Sequence, residues 1–179
     1  ILQVHLEGSA CLQSLLIRNP SASHMHSTCV VKVNGGSSAY IYDCAVEKRR
    51  WGSAVVVSGN GSKLTAVNTS MLGQWHSGLL VDQGGQAVLK GCKSDGCNWR
   101  GWSVCGQGSS LTAHDSSASS NAIESACVFN GATAHLVRCT LDKSGIRGLQ
   151  AYGSGTFVAA DATSFSGSKR SKNVYACSG

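Results

Sequence analysis

Apolar and polar residues alternate in short bursts along the whole chain, and no burst lengthens into a helical stripe. Seven pairs separated by one residue carry the pattern: Val31 and Val33, Val55 and Val57, Leu79 and Val81, Trp102 and Val104, Ala126 and Val128, Leu149 and Ala151, Val174 and Ala176. A period of two predicts strands with one face turned to a core. Helices are not expected, because 22 glycines and abundant serines interrupt every window.

The alternations recur at a nearly fixed interval, which is the signature of a repeat architecture. Trp51, Trp75 and Trp99 stand 24 residues apart, and Ile123 and Ile146 continue their slot at spacings of 24 and 23. Gly8, Gly36, Gly61, Gly85, Gly108, Gly131, Gly155 and Gly179 mark the boundaries of seven rungs. A further apolar landmark follows each of the six glycines from Gly36 to Gly155, as Ile41, Leu64, Leu89, Leu111, Leu136 and Phe157. Three residues beyond each of these comes Cys44, Val67, Cys92, His114, Cys139 or Ala160, and both sets are expected to stack vertically.

A unit of 23 to 25 residues, made of two or three short strands, cannot bury its apolar side alone. Stacked coil on coil it can, each strand pairing in parallel with its equivalent about 4.8 Å away. In this rung grammar the chain resembles the right-handed parallel β-helix proteins of the pectate-lyase-like fold over essentially its whole length. The expected structure is an all-β solenoid of about seven rungs, roughly 34 Å long, forming one domain over residues 1–179. The tryptophans are expected to serve as rung corners rather than as a platform for sugar rings. An irregular loop is expected near 18–28, where NPSASHMHST holds the single proline, Pro20. His24 and His26 in that loop form an H-x-H pair without a visible third ligand.

The termini start and stop within the repeat and show neither an initiator Met, a signal-peptide pattern nor a polar cap. The chain therefore reads as a processed form, a fragment, or the ordered part of something longer, with other protein subunits expected over one or both ends. No apolar run approaches the roughly 18 residues of a membrane-spanning helix, so the chain is not expected to be transmembrane.

The net charge of +6 changes the picture of the surface. Lys48, Arg49 and Arg50 form one basic cluster and Lys169, Arg170 and Lys172 another; with Arg100 and Arg147 they make the candidate interaction surface. An acidic protein contact is favoured, an acidic polysaccharide is possible, and nucleic acid is not expected, since no known nucleic-acid module is visible.

Nine cysteines suggest either disulfides or small core residues. Cys44, Cys92 and Cys139 lie two rungs apart, about 9.6 Å, beyond the reach of a disulfide, and are expected as free interior thiols. Cys105 and Cys127, on adjacent rungs, are the pair to check for a bridge. Cys92, Cys97, Cys105 and His114 lack the close CxxC spacing of structural zinc, so neither a metal nor any other cofactor is predicted.

The resemblance implies no activity by itself, because β-helix enzymes acting on acidic polysaccharides need clustered carboxylates. This chain has only nine acidic residues. Glu47, Asp95 and Asp142 are expected in one slot with Ser70 and Ser117 between them, and Asp115 and Asp161 in another with Thr140 between. At about 9.6 Å those pairs are wider than a retaining glycosidase pair and at the outer limit for an inverting one. The aspartate patterns of polygalacturonases and pectin methylesterases are absent. His76, His114 and His135 show no partner by spacing, and no nucleophile elbow occurs. No catalytic residue is therefore assigned. The favoured reading is a non-catalytic scaffold or interaction module, an accessory subunit of a larger assembly. The alternative is a carbohydrate-active or carbohydrate-binding protein with a groove formed by Arg100, Arg147, Asp95 and Asp142. A trimeric adhesin or tail-fibre repeat is the third.

Overall fold

A computed structural model describes residues 4–6, 8–19, 29–48, 52–72, 75–169 and 173–177. These residues build a solenoid of three parallel sheets. Sheet A has eight strands, Val4–Leu6, Cys29–Val33, Ser53–Ser58, Ser77–Asp82, Arg100–Cys105, Glu124–Phe129, Arg147–Tyr152 and Val174–Cys177, paired in chain order. Sheets B and C have seven each. Sheet B runs from Ser9–Gln13 to Phe157–Asp161 and sheet C from Leu16–Asn19 to Ser164–Ser166, so one A, one B and one C strand make each coil. The Pro20 loop and its two histidines lie outside the described residues.

The alternating pairs form the interior of sheet A in the expected register. Val31, Val55, Leu79, Trp102, Ala126, Leu149 and Val174 pair in succession, as do Val33, Val57, Val81, Val104, Val128, Ala151 and Ala176. Trp102, Leu79 and Val81 are completely buried. Complete burial of such a side chain stabilises by about 1.5–3 kcal/mol relative to exposure, and the fold repeats burial of this pair on the coils from Val31 to Val128.

Sheet B corrects the expected landmark column, which is two columns. Ile41, Ala66, Leu89, Ala113, Leu136 and Ala160 pair in one; Ala39, Leu64, Ala87, Leu111, Ala134 and Val158 pair in the other. From Ala39 to Leu136 each coil has one large and one small residue, and their order reverses at the next coil. Large side chains therefore lie over small ones in both columns, which fills the interior without forcing two leucines into one layer.

The turns explain the other periodicities. Gly36, Gly61, Gly108, Gly131 and Gly155 all have φ between 74° and 81°, and a Cβ on Gly61, Gly108 or Gly155 would sit 3.4–3.6 Å from the glycine Cα one coil away. On the fourth coil it is Gly84, with φ 84°, and not Gly85 that occupies this slot. Gly179 lies outside the described residues.

At the turn from B to C the cysteine stack is Cys44, Thr69, Cys92, Ser116, Cys139 and Thr163, not the expected set with Val67, His114 and Ala160. The residue before each has left-handed φ, from 48° at Ala162 to 62° at Gly91. Cys92 Sγ donates to the Ala66 and Lys90 carbonyls at 3.4 and 3.5 Å, and Thr69 Oγ1 to those of Ile41 and Val67 at 3.4 and 3.0 Å. Thiol and hydroxyl thus do one job, satisfying carbonyls where the chain leaves the ladder.

Candidate interaction face on sheet A

The six sheet A strands from Cys29–Val33 to Arg147–Tyr152 each bend near their start, where two consecutive residues turn inward. Val30 and Val31 are both fully buried, as are Ala54 and Val55, and a Cβ on Gly101 would meet the Ala118 Cβ at 2.7 Å. That bend reverses the alternation for the residue before it. Cys29, Ser53, Ser77, Arg100, Glu124 and Arg147 consequently form a column on the outer face.

Arg100 Nε donates to Glu124 Oε2 at 2.8 Å, with the two side chains 16% and 4% exposed. The Arg100 guanidinium lies 5.7 Å from the Trp99 ring centroid and 5.4 Å from that of Phe129. Phe129 stacks on Tyr152 at 5.1 Å. Arg147 lies 4.4 Å from the Tyr175 centroid and donates to Gln150 Oε1 at 3.0 Å. Among the described residues Arg147 makes no ion pair with a carboxylate.

At the edge of this face Trp75 and Trp99 are 45% and 42% exposed. Their spacing of 24 misleads: Ser77 pairs with Arg100, so Trp99 lies over His76 and not over Trp75. The two rings stack at 5.7 Å and 7°. His76 Nδ1 has Ser77 Oγ at 3.1 Å and Ser53 Oγ at 3.4 Å. Burial, then the nearby Arg100 charge, lowers the His76 pKa and favours the neutral ring. Main-chain bonds extend the Trp99 column through Ile123 and Ile146, at 2.9 Å each, and both isoleucines are half-buried. Trp51 lies outside the described residues.

Of the expected basic surface, Arg100 and Arg147 come together, two coils apart with Glu124 between them. Lys48 ends a strand of sheet C, and exposed Lys169 donates its amide to the Ser144 carbonyl at 3.1 Å. Arg49, Arg50, Arg170 and Lys172 lie outside the described residues. Asp95 and Asp142 belong to sheet C, where Ser119 rather than Ser117 separates them and Leu72 follows Glu47. Asp95 accepts from the Ser119 amide at 3.0 Å, while burial, the largest effect, and the Asp142 charge raise its pKa.

Asp115 and Asp161 do not share a slot. Asp115 is held by both Nε and Nη2 of Arg138, at 2.7 and 2.8 Å, which lowers its pKa, and Asp161 lies 2.8 Å from His135 Nε2. His135 therefore does have a carboxylate partner, one that spacing did not reveal because it lies 26 residues away in the next coil. Its ring meets that of His114 edge-on at 6.5 Å.

Cys44, Cys92, Cys105, Cys127 and Cys139 form no disulfide. Cys105 pairs in register with Phe129 and Cys127 with Ser103, so the two thiols are diagonal neighbours, with backbones roughly 8 Å apart. Both lie on the outer side of sheet A; burial pushes Cys127 up to about 12 and also raises Cys105. No group of three His, Cys, Asp or Glu residues suited to a metal ion occurs among the described residues, and no helix there is long and apolar enough to cross a membrane.

Register could have revealed the Arg100, Glu124, Arg147 column, since the spacings of 24 and 23 follow the repeat. Comparison with curated proteins gives no match. A family model described as a right-handed beta helix region matches residues 4–166. With three parallel sheets wound in register and a match over most of its length, the chain belongs to the right-handed β-helix family.

Proposed function

We propose that this protein is a non-catalytic interaction module, an accessory subunit whose rigid outer faces bind other proteins. The observation that carries the reading is the division of labour on sheet A. Its polar groups are engaged with one another, Arg100 with Glu124 and His76 with two serines, whereas Trp99, Ile123 and Ile146 present apolar surface. Burial raises the Cys127 thiol, and among the described residues His76 makes no ion pair with a carboxylate that would work with it as an acid–base pair.

The test is the mass of the native protein by light scattering, with mass spectrometry of co-eluting chains. Stoichiometric partners support the proposal, and a monodisperse monomer from its native source removes it.

Exposed Trp75 and Trp99 favour one second reading, a carbohydrate-binding face, since flat aromatic rings beside arginine suit sugar rings. Titration with oligogalacturonates, with and without Ca²⁺, tests it through tryptophan fluorescence.

A further inference from the structure

The column formed by Trp99, Ile123 and Ile146 runs along the solenoid axis, one residue per coil, joined by main-chain hydrogen bonds of 2.9 Å. Neighbouring coils are about 4.8 Å apart, so the three side chains repeat at about 4.8 and 9.6 Å. A helix rises about 1.5 Å per residue; its apolar positions i, i+3 and i+7 therefore fall at about 4.5 and 10.5 Å, close to those intervals. An extended strand repeats on one face at roughly 6.6 Å, and drifts out of step by the third coil. The column ends beside Arg147, whose guanidinium is held by Gln150 and Tyr175 and pairs with no carboxylate among the described residues. The chain as a whole carries +6.

We propose that this ridge is the docking site for an amphipathic helix of a partner protein, laid along the solenoid axis, with apolar residues at i, i+3 and i+7 and an Asp or Glu that reaches Arg147. The inference rests on the interaction-module reading and names the partner's chemistry. A sugar chain fits the ridge less well. Two of its three positions are aliphatic, and the adjacent Arg100 and Glu124 are already committed to each other. Helix-in-groove recognition uses this spacing of anchors.

The test selects binders to the whole protein from two displayed peptide libraries, one helix-favouring and one proline-rich and extended. Selected clones are then measured by fluorescence anisotropy against Ile146→Glu, Arg147→Glu and the milder Ile123→Ser, each first checked for cooperative unfolding. Thr112→Glu on sheet B is the control. The expected result is helical clones bearing the apolar spacing and an acid, weakened tenfold or more by Arg147→Glu and by Ile146→Glu, and unchanged by Thr112→Glu. Clones without that pattern, clones indifferent to the ridge variants, or no helical clone at all overturn the proposal. Displacement of clones by oligogalacturonate assigns the ridge to carbohydrate instead. Stoichiometric native partners whose binding ignores the ridge variants would leave the module reading standing while removing this interface.

Discussion

Arg100 and Glu124 meet on the outside of sheet A, one coil apart, with 2.8 Å between Nε and Oε2 and the carboxylate side chain only 4% exposed. The pair costs desolvation on both sides, so its presence is weak support for stability, yet losing one partner leaves the other charged in a poorly solvated place. Glu124→Ala is expected to destabilise by about 3 kcal/mol, and Glu124→Gln by less, because an amide oxygen still accepts from Nε. Urea unfolding of the two variants checks the order. Equal and negligible losses would mean that Arg100 is satisfied by its aromatic neighbours alone.

His76 makes stability depend on pH. Its folded pKa lies below the ordinary value of 6.5, through burial first and Arg100 second. Between the two pKa values the unfolded chain binds more protons, so stability falls as pH drops from about 6.5 toward the folded value and flattens below it. Unfolding at pH 8 and pH 5 should show this loss in the wild type and a smaller one in His76→Gln. Because the ring stacks on Trp99, tryptophan fluorescence should fall as the imidazolium forms, with a midpoint below 6.5.

The interior of sheet A was legible because period-two pairs such as Leu79 and Val81 report burial directly. Spacing alone failed wherever coil lengths differ by one or two residues. Trp75 and Trp99 are 24 apart, but the coil from Ser77 to Arg100 advances by 23, which moves Trp99 onto His76. The spacing puts Cys44, Cys92 and Cys139 two coils apart, as found, but it does not show Thr69 and Ser116 between them, because a hydroxyl does not register as an apolar landmark. The Arg100 column was hidden by the bend in each strand, which reverses the in-out alternation at one residue and has no apolar signature of its own. The resemblance to the β-helix proteins carried the fold, and it held no information about which face binds.

Thiol reactivity should divide by position. Cys11 and Cys177 are exposed, Cys105 is intermediate and the other six are buried. Burial raises Cys92, Cys127 and Cys139, leaving little thiolate at neutral pH. Timed alkylation with iodoacetamide and mass spectrometry of the native protein should label Cys11 and Cys177 first and Cys127 only on unfolding. Rapid labelling of Cys92 or Cys139 would contradict the buried stack.

The same stack makes a prediction about substitution. Cys92 and Thr69 perform the same bonding one coil apart. Cys92→Thr should therefore cost less than about 1 kcal/mol, whereas Cys92→Val, which keeps the volume but not the donor, should cost about 1–3 kcal/mol. Chemical denaturation of both variants measures the difference.

Register in sheet A can be tested at two positions only two residues apart. Val81 is fully buried between Val57 and Val104, and an unpaired carboxylate there should abolish cooperative unfolding in Val81→Asp. Gln83 is exposed at a turn with φ 52°, a conformation that aspartate tolerates, so Gln83→Asp should unfold like the wild type. Circular dichroism during a thermal ramp distinguishes the two.

The alternation of size in sheet B separates coil volume from vertical order. Ala87 lies between Leu64 and Leu111 in one column, and Leu89 between Ala66 and Ala113 in the other. Ala87→Leu overpacks its column and should cost about 1–3 kcal/mol, while Leu89→Ala leaves a cavity and should cost about 2–5 kcal/mol. The double variant restores the side-chain volume of that coil but places three leucines in one column and three alanines in the other. If volume per coil governs packing, the double variant should recover most of the loss. If the vertical alternation governs it, as the closeness of coils at about 4.8 Å requires, the double variant should lose at least the sum of the two single losses. A double-mutant cycle in urea decides between them, because the coupling energy is strongly favourable in the first case and near zero or unfavourable in the second.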